Sequence, residues 1–386
     1  MDRSDEGYAA EREASRGGAP DPAAGFEGEC VSYNQRMEIR TLEPPEIDAL
    51  HDLLSGWESR DGWRSPETFK RQVEADPHFE EQNVWVAVDR GELVACALIH
   101  PRRLRILGHG IPGGGIGRVF TREDYRGQGI ASALIEQAAT AMRERGMELS
   151  IVFSQQRALF ERLGWNEWRG ERSILRRAEG KRPNAKDDGA SNIELVPLDR
   201  ERNRALAAVK AIHSAYSGSR NGTVIRDDGL WDATLALAGN PIEEFWVARR
   251  GGLAVAYGRA TLLEEGLTIT EIGRFEDGAA ALAKLVGELL EVRDDDPLAS
   301  NGQTSAEIRS FAVLPTFDDI GLTVGLEHAG VTSHPVPDQS GLIRCLNITA
   351  LAARLDVALL EGEDEASFLR RILPPDGFVF WPADRF

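Results

Sequence analysis

Residues 113–131 read GGGIGRVFTREDYRGQGIA, and this stretch decides the fold. Gly115–Thr121 has the residue content of a buried strand, and Arg126–Ala131 is a tight turn. The following segment, Ile130–Arg145, carries apolar residues at helical spacing, and Gly146 suits the C-terminal end of that helix. The stretch therefore predicts a strand that passes through a glycine turn into an amphipathic helix.

The turn is predicted to bind a diphosphate. Gly127 and Gly129 allow positive φ and leave the neighbouring backbone N–H groups bare. The first N–H groups of a helix point outward, and the helix dipole adds partial positive charge there. Ala131 is small enough for a ligand to come close, and Arg126 can add a charge-assisted contact. The spacing is neither that of a P-loop nor that of a dinucleotide-binding turn.

Strands and helices alternate on both sides of this stretch. NVWVAV (83–88) and LVACALIH (93–100) flank a polar turn, which predicts a β-hairpin. The other predicted elements of this part are, in chain order, a strand at Met37–Leu42, helices at Pro45–Leu54 and from Pro66, a strand at Leu149–Ser154, a helix at Arg157–Leu163, and a last hairpin from Trp165–Trp168 and Ser173–Leu175.

A similar order of elements recurs after residue 191, which predicts a second copy of the same fold. The predicted elements are a strand at Ile193–Pro197, a helix at Arg200–Ser214, a helix at Leu230–Ala238, a hairpin from Phe245–Arg249 and Ala254–Arg259, a strand at Leu267–Phe275 and a helix at Gly278–Leu290.

Composition divides the chain into five segments. Residues 1–36 lack periodicity and are predicted to be a disordered tail. The polar run at 179–191 is predicted to be a linker between an ordered part at 37–178 and a second at 192–340. The last 46 residues, 341–386, add a strand, two helices and an aromatic terminus. The fold class is α/β (α+β), with a mixed central sheet in each ordered part.

Charge and cysteine usage limit the partners. The formal net charge of −18 repels phosphate backbones, so nucleic acid is set aside, while a cationic small molecule or a basic peptide suits it. Cys30, Cys96 and Cys345 lie far apart without C-x-x-C spacing, so we expect reduced thiols of a cytoplasmic protein and no metal site. No apolar run is long enough to span a membrane, and no signal peptide is expected.

The turn resembles the [Q/R]-x-x-G-x-[G/A] motif of the GNAT acyltransferase superfamily, with Arg126, Gly129 and Ala131 at its three defined positions. The later ALFERLGW (158–165) resembles that family's short helix, which ends in a glycine and an aromatic residue. The likeness covers residues 37–178 and implies that acetyl-CoA is the co-substrate. It places the cofactor on Val119, Phe120, Thr121, Arg126, Gly127, Gln128, Gly129, Ile130, Ala131, Ser132 and Phe160.

A second likeness concerns the middle of the chain. NGTVIRD (221–227) followed by Trp231 resembles the enhanced-intracellular-survival type of acetyltransferase. Such proteins join a catalytic GNAT domain, a degenerate GNAT-like domain and a sterol-carrier-like domain. The counterpart turn at Arg274–Ala279 lacks the motif, so 192–340 is expected to be the degenerate domain. Residues 341–386 would be a truncated third domain or part of the second. Hexamers occur among these relatives, so a homo-oligomer is left open.

The likeness implies direct attack of an amine on the acetyl thioester. Many relatives place a tyrosine, as general acid for the thiolate, where this chain has Phe160. Ser154 and Tyr125 are the replacement candidates. The candidate bases are Glu123, Asp124 and the carboxylate of Phe386, since a terminal phenylalanine reaches the active site in the relatives.

Three functions remain open from the sequence. The first is an N-acetyltransferase that acts on a primary amine of a small cationic molecule or a peptide. The second, suggested by Phe160 and the degenerate second domain, is a non-catalytic acetyl-CoA-binding regulatory module. The third is transfer of a longer acyl chain.

Overall fold

The computed structural model describes residues 37–57, 66–168, 170–178, 192–198, 203–237, 242–263, 266–299, 302–315, 318–373 and 378–385. The predicted tail at 1–36, the predicted linker at 179–191 and Phe386 lie outside the described residues.

The described strands form two mixed sheets of seven strands each. In chain order they are β1 (Met37–Thr41), β2 (Val84–Asp89), β3 (Glu92–Ile106), β4 (His109–Thr121), β5 (Leu149–Phe153), β6 (Asn166–Glu167), β7 (Gly170–Arg177), β8 (Ile193–Pro197), β9 (Glu243–Arg250), β10 (Leu253–Leu263), β11 (Gly266–Arg274), β12 (Ala312–Pro315), β13 (Val331–Asp338) and β14 (Gly341–Cys345).

Helices cover the sheets. They are α1 (Ile47–Ser55), α2 (Pro66–Ala75), α3 (Ile130–Glu144), α4 (Arg157–Arg162), α5 (Asn203–Gly218), α6 (Asp228–Ala236), α7 (Ala279–Leu289), α8 (Ser305–Ile308), α9 (Ile320–His328), α10 (Ile348–Leu355) and α11 (Glu365–Ile372). Single 3₁₀ turns lie at Pro44–Glu46, Glu81–Asn83, Glu123–Tyr125, Glu276–Gly278 and Pro382–Asp384. The predicted α/β class with two mixed sheets is confirmed.

The two sheets share one design. The first has the order β1-β2-β3-β4-β5-β14-β6 and the second β8-β9-β10-β11-β12-β7-β13. Each begins with an antiparallel meander of four strands and contains one parallel pair, β4 with β5 and β11 with β12. Because a parallel pair needs a crossover, α3 and α7 join these strands. The recurring order predicted from the sequence is therefore a recurring topology.

Each sheet receives one strand from the far end of the other part. β14 pairs with β5 and β6 of the first sheet, and β7 pairs with β12 and β13 of the second. The hairpin predicted from Trp165–Trp168 and Ser173–Leu175 is therefore wrong, since β6 and β7 lie in different sheets. The physical reason is that backbone pairing does not depend on sequence separation, and β7 places Ser173 and Leu175 in the interior of the second sheet, between β12 and β13.

The helix after the glycine turn is held by its apolar face. Ile130, Leu134, Ile135, Ala138 and Met142 of α3 are all buried. The glycine run at the start of β4 allows this close packing, because a Cβ at Gly114 would collide with the sulfur of Met142. Burial of this face fixes the direction of α3, and with it the place where the N-terminal amides point.

The corresponding turn of the second sheet is built differently. Gly278, which precedes α7, has φ −85° and its N–H donates to the Phe275 carbonyl at 2.9 Å. Arg274 is held by Asp319 at 2.7 Å, and Glu276 and Asp277 are exposed at the helix start. Two carboxylates at this position oppose an anion. This geometry agrees with the expectation that the second copy does not hold a diphosphate in the way the first is predicted to.

Candidate active site

The glycine turn has the backbone that an anion site requires. Gly127 and Gly129 have φ +76° and +79°, in the left-handed region that favours glycine. Residues 126–129 are exposed, whereas Ile130 is buried and anchors the helix. Ala133 N–H donates to the Gly129 carbonyl at 3.1 Å, so the amides before it precede the helical hydrogen bonds. These amides face solvent at the positive end of α3.

Side chains tie the turn to the end of β4. Arg126 Nε donates to the Thr121 carbonyl at 3.1 Å, and Gln128 Nε2 donates to the Asp124 carbonyl at 3.4 Å. Arg122 forms two 2.8 Å hydrogen bonds with Asp124, and the pKa of that exposed carboxyl is lowered by this contact. Asp124 is therefore a paired surface acid, and Glu123 beside it is exposed.

β4 and β5 separate beyond a short paired stretch. The parallel register runs only from Gly113 with Leu149 to Gly115 with Ile151. β4 continues for six residues past Gly115, to Thr121, without pairing to β5. Ile116–Thr121 therefore has no described strand of the sheet beside it on the β5 side, and within it Val119, Phe120 and Thr121 are only half-buried. Ser154, which directly follows β5, lies at the other side of this gap.

A bulge in β4 shapes the gap. Cys96 pairs with Phe120 and Leu98 with Gly117, so β4 contains an extra residue between these pairs. Arg118 lies in the bulge with φ +48°, an unusual value for a side chain of this size. Its guanidinium is buried and bonds to His100. The bulge thereby directs a buried positive charge to the place where β4 leaves β5.

A cavity adjoins this gap and lies between the two sheets. Three distant parts of the chain line it: the β3–β4 side of the first sheet, the α6–β10 side of the second, and the C-terminal segment. The lining residues are Asp76, His100, Arg102, Arg118, Leu230, Ala233, Thr234, Leu237, Glu243, Arg259, Ala383, Asp384 and Arg385. The guanidinium of Arg385 stacks on the ring of Phe153 at 4.5 Å, which brings this wall to the end of β5.

One wall of the cavity is a buried hydrogen-bond chain. Arg118 NH1 lies 3.0 Å from His100 Nε2, and since a guanidinium only donates, Nε2 is the acceptor and Nδ1 carries the proton. Nδ1 faces Asp76 Oδ2 at 3.4 Å, which also accepts from Arg102 at 3.0 Å. Burial lowers the pKa of His100 to about 3 and that of Arg118 to about 10. Burial alone would raise the pKa of Asp76, but His100 and Arg102 outweigh it and hold that pKa well below its usual value.

On the side of the second sheet, the lining residues Glu243 and Arg259 belong to a buried ion network. Glu271 accepts from both terminal nitrogens of Arg226 at 3.0 and 2.9 Å, from Arg259 at 3.2 Å and from the Tyr257 hydroxyl at 2.6 Å. Arg259 also binds both oxygens of Glu243, at 3.0 and 3.1 Å. Such a network is rigid because every break leaves a buried charge without compensation.

Comparison with known proteins identifies the part of the chain that holds the turn. The family model described as acetyltransferase (GNAT) domain matches residues 38–167. These residues form a GNAT acetyltransferase domain.

Similar proteins are found both in sequence and in fold. An aminoglycoside 2'-N-acetyltransferase from Mycolicibacterium fortuitum is 31% identical over 100 residues, which cover 26% of this chain and 51% of that protein. The chain thus spans about half the length of this relative. Eis1 from Mycobacterium abscessus shares the fold, with a TM-score of 0.56 at 17% identity over 82% of this chain and 75% of the other. A GCN5-related N-acetyltransferase from Kribbella flavida gives a TM-score of 0.56 at 17% identity, over 82% and 73%.

The remaining predicted site residues lie at different parts of the GNAT domain. Phe160 is buried and meets Trp165 edge to face, with ring centroids 5.8 Å apart. Phe120 stacks on Trp57, with centroids 5.7 Å apart. The Tyr125 hydroxyl donates to Asp89 Oδ2 at 2.8 Å, and this bond raises the pKa of Tyr125. Ser154 Oγ accepts the Gln156 N–H at 3.0 Å, which leaves its own proton available.

The cavity residues were missed by sequence reasoning. Asp76, His100, Arg118, Glu243 and Asp384 come from segments up to about 300 residues apart and belong to no local motif. The only signal was NGTVIRD (221–227), which was read as a family likeness and contains Arg226 of the ion network. Phe386, the predicted base, lies outside the described residues, so its role stays a prediction.

None of the helices in the described part of the chain is both long and apolar enough to cross a membrane. No three His, Cys, Asp or Glu side chains within that part group as metal ligands would.

Proposed function

We propose that this protein transfers an acetyl group from acetyl-CoA to a primary amine of a small molecule or a peptide, by direct attack of the amine on the thioester. The observation that carries the proposal is the exposed turn before α3, in which Gly127 and Gly129 have a left-handed backbone. The end of β4 that is not paired with β5 leads to this turn, and Arg118 in that part of β4 lines the cavity between the sheets. The turn suits a diphosphate, the gap suits an extended amide-bearing arm, and the cavity suits an acceptor.

The cofactor would lie along the first sheet. Its diphosphate would accept hydrogen bonds from the amides of Gly127 to Ser132, with Arg126 beside it. Its pantetheine arm would pair with the open backbone of Val119 and Thr121, as an added strand does. The thioester would then lie in the gap near Ser154, above the core that contains Phe160.

The acceptor would enter from the cavity. A net charge of −18 attracts amines from solution over long range. The aminoglycoside acetyltransferase relative matches only 100 residues, so its name supports an amine acceptor but not a particular one. We therefore propose the class, a primary amine on a small cationic molecule or a lysine-like side chain.

The reaction requires that the acceptor amine lose a proton and that the CoA thiolate leave. At pH 7 an alkyl ammonium must lose a proton, which costs about 4.6 kcal/mol for a pKa near 10.4. The leaving thiol has a pKa near 8.5, so departure as a thiolate costs only about 2 kcal/mol. An acid is thus useful but dispensable. We assign it to Ser154, which lies at the gap with an uncommitted proton, in preference to Tyr125, which donates to Asp89.

The two described cysteines suit a reducing compartment. Cys96 and Cys345 are free and buried, and burial raises the pKa of both thiols to about 12. Thiols of this kind resist oxidation, and we propose a cytoplasmic location on that basis.

Calorimetric titration of acetyl-CoA into the wild type and a Gly129→Glu variant tests the cofactor site. The added carboxylate should abolish binding, because it lies at the positive end of α3 and repels the diphosphate. The matched control is Gly252→Glu, since Gly252 has nearly the same φ, +78°, in the β9–β10 hairpin of the second sheet. Equal binding by Gly129→Glu and the control would remove the turn from the proposal.

Turnover separates catalysis from the regulatory alternative. Release of free CoA thiol is followed with kanamycin, spermine or Nα-acetyl-lysine amide as acceptor. Turnover with any of them supports the transferase. Acetyl-CoA binding without turnover favours the regulatory module, for which the buried Phe160 in place of a general acid is the supporting observation. Tighter binding of longer acyl-CoA esters would favour a longer acyl group.

A further inference from the structure

The C-terminal segment is docked against both sheets and forms one wall of the cavity. Val379 N–H donates to the Asn221 carbonyl at 2.8 Å, and Trp381, which is fully buried, donates from its indole to Ser217 at 3.3 Å. Arg385 reaches Phe153 of the first sheet. The residues between them are therefore held in place, and Asp384 is one of the three that face the cavity.

The two carboxylate oxygens of Asp384 differ, because one of them accepts a hydrogen bond from the described part of the chain and the other does not. Oδ1 accepts from Arg226 Nε at 2.7 Å. Oδ2 is buried and accepts no hydrogen bond within the described residues, although the residue is only 8% exposed. Arg226 does not donate to it: Nε bonds to Asp384 Oδ1, and the hydrogen bonds of the two terminal nitrogens go to Glu271. A buried carboxylate oxygen without a donor costs free energy, so its position points to a donor that arrives from the cavity.

The other carboxylates of the cavity are satisfied. Asp76 Oδ1 accepts the His78 N–H at 3.0 Å, and its Oδ2 accepts from Arg102 and His100. Both oxygens of Glu243 bind Arg259. Among the described lining residues, Asp384 Oδ2 is thus the carboxylate oxygen that is left for a ligand.

The ligand must donate, because an ionised carboxylate accepts hydrogen bonds only. The lining holds four arginines against three carboxylates, and Arg226 and Arg105 also interact electrostatically with Asp384. Positive surroundings disfavour an ammonium and favour the neutral amine, the form that attacks a thioester. An amine N–H bonded to Oδ2 would leave the nitrogen lone pair free to face the gap between β4 and β5.

We propose that Asp384 binds the acceptor: its Oδ2 accepts a hydrogen bond from the reacting primary amine and orients that amine toward the thioester. This inference rests on the proposed function and assigns a specificity-determining residue to it. The anchor on Arg226 keeps the carboxylate in one orientation, so the amine meets a fixed acceptor.

The test is calorimetric titration of kanamycin, spermine and Nα-acetyl-lysine amide into CoA-saturated protein, with wild type, Asp384→Asn and Glu361→Gln. The asparagine side chain can still accept from Arg226, but it presents an NH₂ donor to the cavity. We expect amine affinity to fall at least tenfold in Asp384→Asn, with CoA affinity unchanged. Glu361 is exposed between α10 and α11, so its variant should bind as the wild type does.

If Asp384→Asn lowers the melting temperature, its loss of amine binding could result from unfolding. A second variant in the same cavity addresses this. Thr234→Phe fills the same cavity from α6 and leaves the Arg226 contacts intact, and it should weaken amine binding as well. Equal amine affinity in Asp384→Asn and wild type overturns the assignment while the transferase stands. If wild-type protein binds none of the three amines, both the assignment and the amine acceptor class fall.

Discussion

Two residues with a left-handed backbone lie at the candidate site. Gly129 has a left-handed backbone at the start of α3, so the turn can present bare amides where any other residue would be strained. Arg118 also has a left-handed backbone, and its buried guanidinium lies near the point where β4 and β5 separate. A non-glycine residue in this region is costly, and such strain concentrates at functional sites.

The pH dependence of stability is predicted to come from His100 first. Its folded pKa of about 3 lies below the usual 6.5, so its contribution to stability is complete above about pH 6.5 and is lost as the pH falls toward 3. Asp76, whose pKa is also lowered, adds its loss only below about pH 4. Between pH 6.5 and 4.5 we expect the free energy of unfolding to fall by about 2 kcal/mol from His100 alone.

The measurement is urea unfolding of wild type and His100→Gln across that range. Glutamine can accept from Arg118 and donate to Asp76 but does not titrate. The difference in unfolding free energy between the two proteins should therefore shrink as the pH falls. Parallel curves would show that His100 is not the source.

At the scale of elements, the exchanged strands β7 and β14 determine how the sheets are completed. β14 pairs on one side with β5, through Gly341–Cys345 against Leu149–Phe153, and on the other with β6. β14 therefore supports the far side of β5, the strand that borders the gap beside β4. The first sheet thus contains a strand from residues 341–345, although the family match ends at residue 167.

Substitution in β14 is predicted to weaken acetyl-CoA binding, although β14 lies more than 200 residues after the glycine turn. Leu342 is fully buried beside Phe160 and Trp165, so Leu342→Asp should destabilise the protein by several kcal/mol and abolish acetyl-CoA binding. Leu359→Asp is the matched control, because Leu359 is 41% exposed in the same segment. Thermal unfolding and calorimetry give both readouts, and retained binding in Leu342→Asp would contradict this account.

At the scale of the whole molecule, the two sheets depend on each other. Each lacks an internal strand without the other part of the chain, and a missing internal strand exposes two unpaired edges. The buried network of Arg226, Glu271 and Asp384 adds a further connection between the second sheet and the C-terminal segment. The parts on either side of residues 179–191 are therefore expected to fold together.

Fragment complementation tests this dependence. Residues 1–190 alone should not bind acetyl-CoA, because β14 is absent, whereas co-expression with 191–386 should restore a one-to-one complex that binds. The control is the full chain with a protease site at residue 185, which should keep its affinity after cleavage. Independent binding by the 1–190 fragment would contradict the proposed dependence.

The sequence by itself determined the local features. Glycine positions, apolar spacing and polar turns predicted β1, the β2–β3 hairpin, α3 and its glycine turn, β5 and α4, and they predicted the recurrence after residue 191. These features depend on neighbouring residues, for which backbone conformation and periodicity are sufficient. The motif at Arg126–Ala131 also pointed to the family whose model matches residues 38–167.

Only the tertiary structure decided the exchange of β7 and β14, the bulge at Arg118 and the cavity with its ion networks. Strand pairing is set by which edges meet, and the short strands β6, β7 and β14 carry no local signal that specifies which sheet each one joins. Asp384 and Arg226 lie 158 residues apart, and His100 and Asp76 are polar residues that the sequence alone would place on a surface. Their burial, and hence their charge state and partners, exists only once the two sheets close around them.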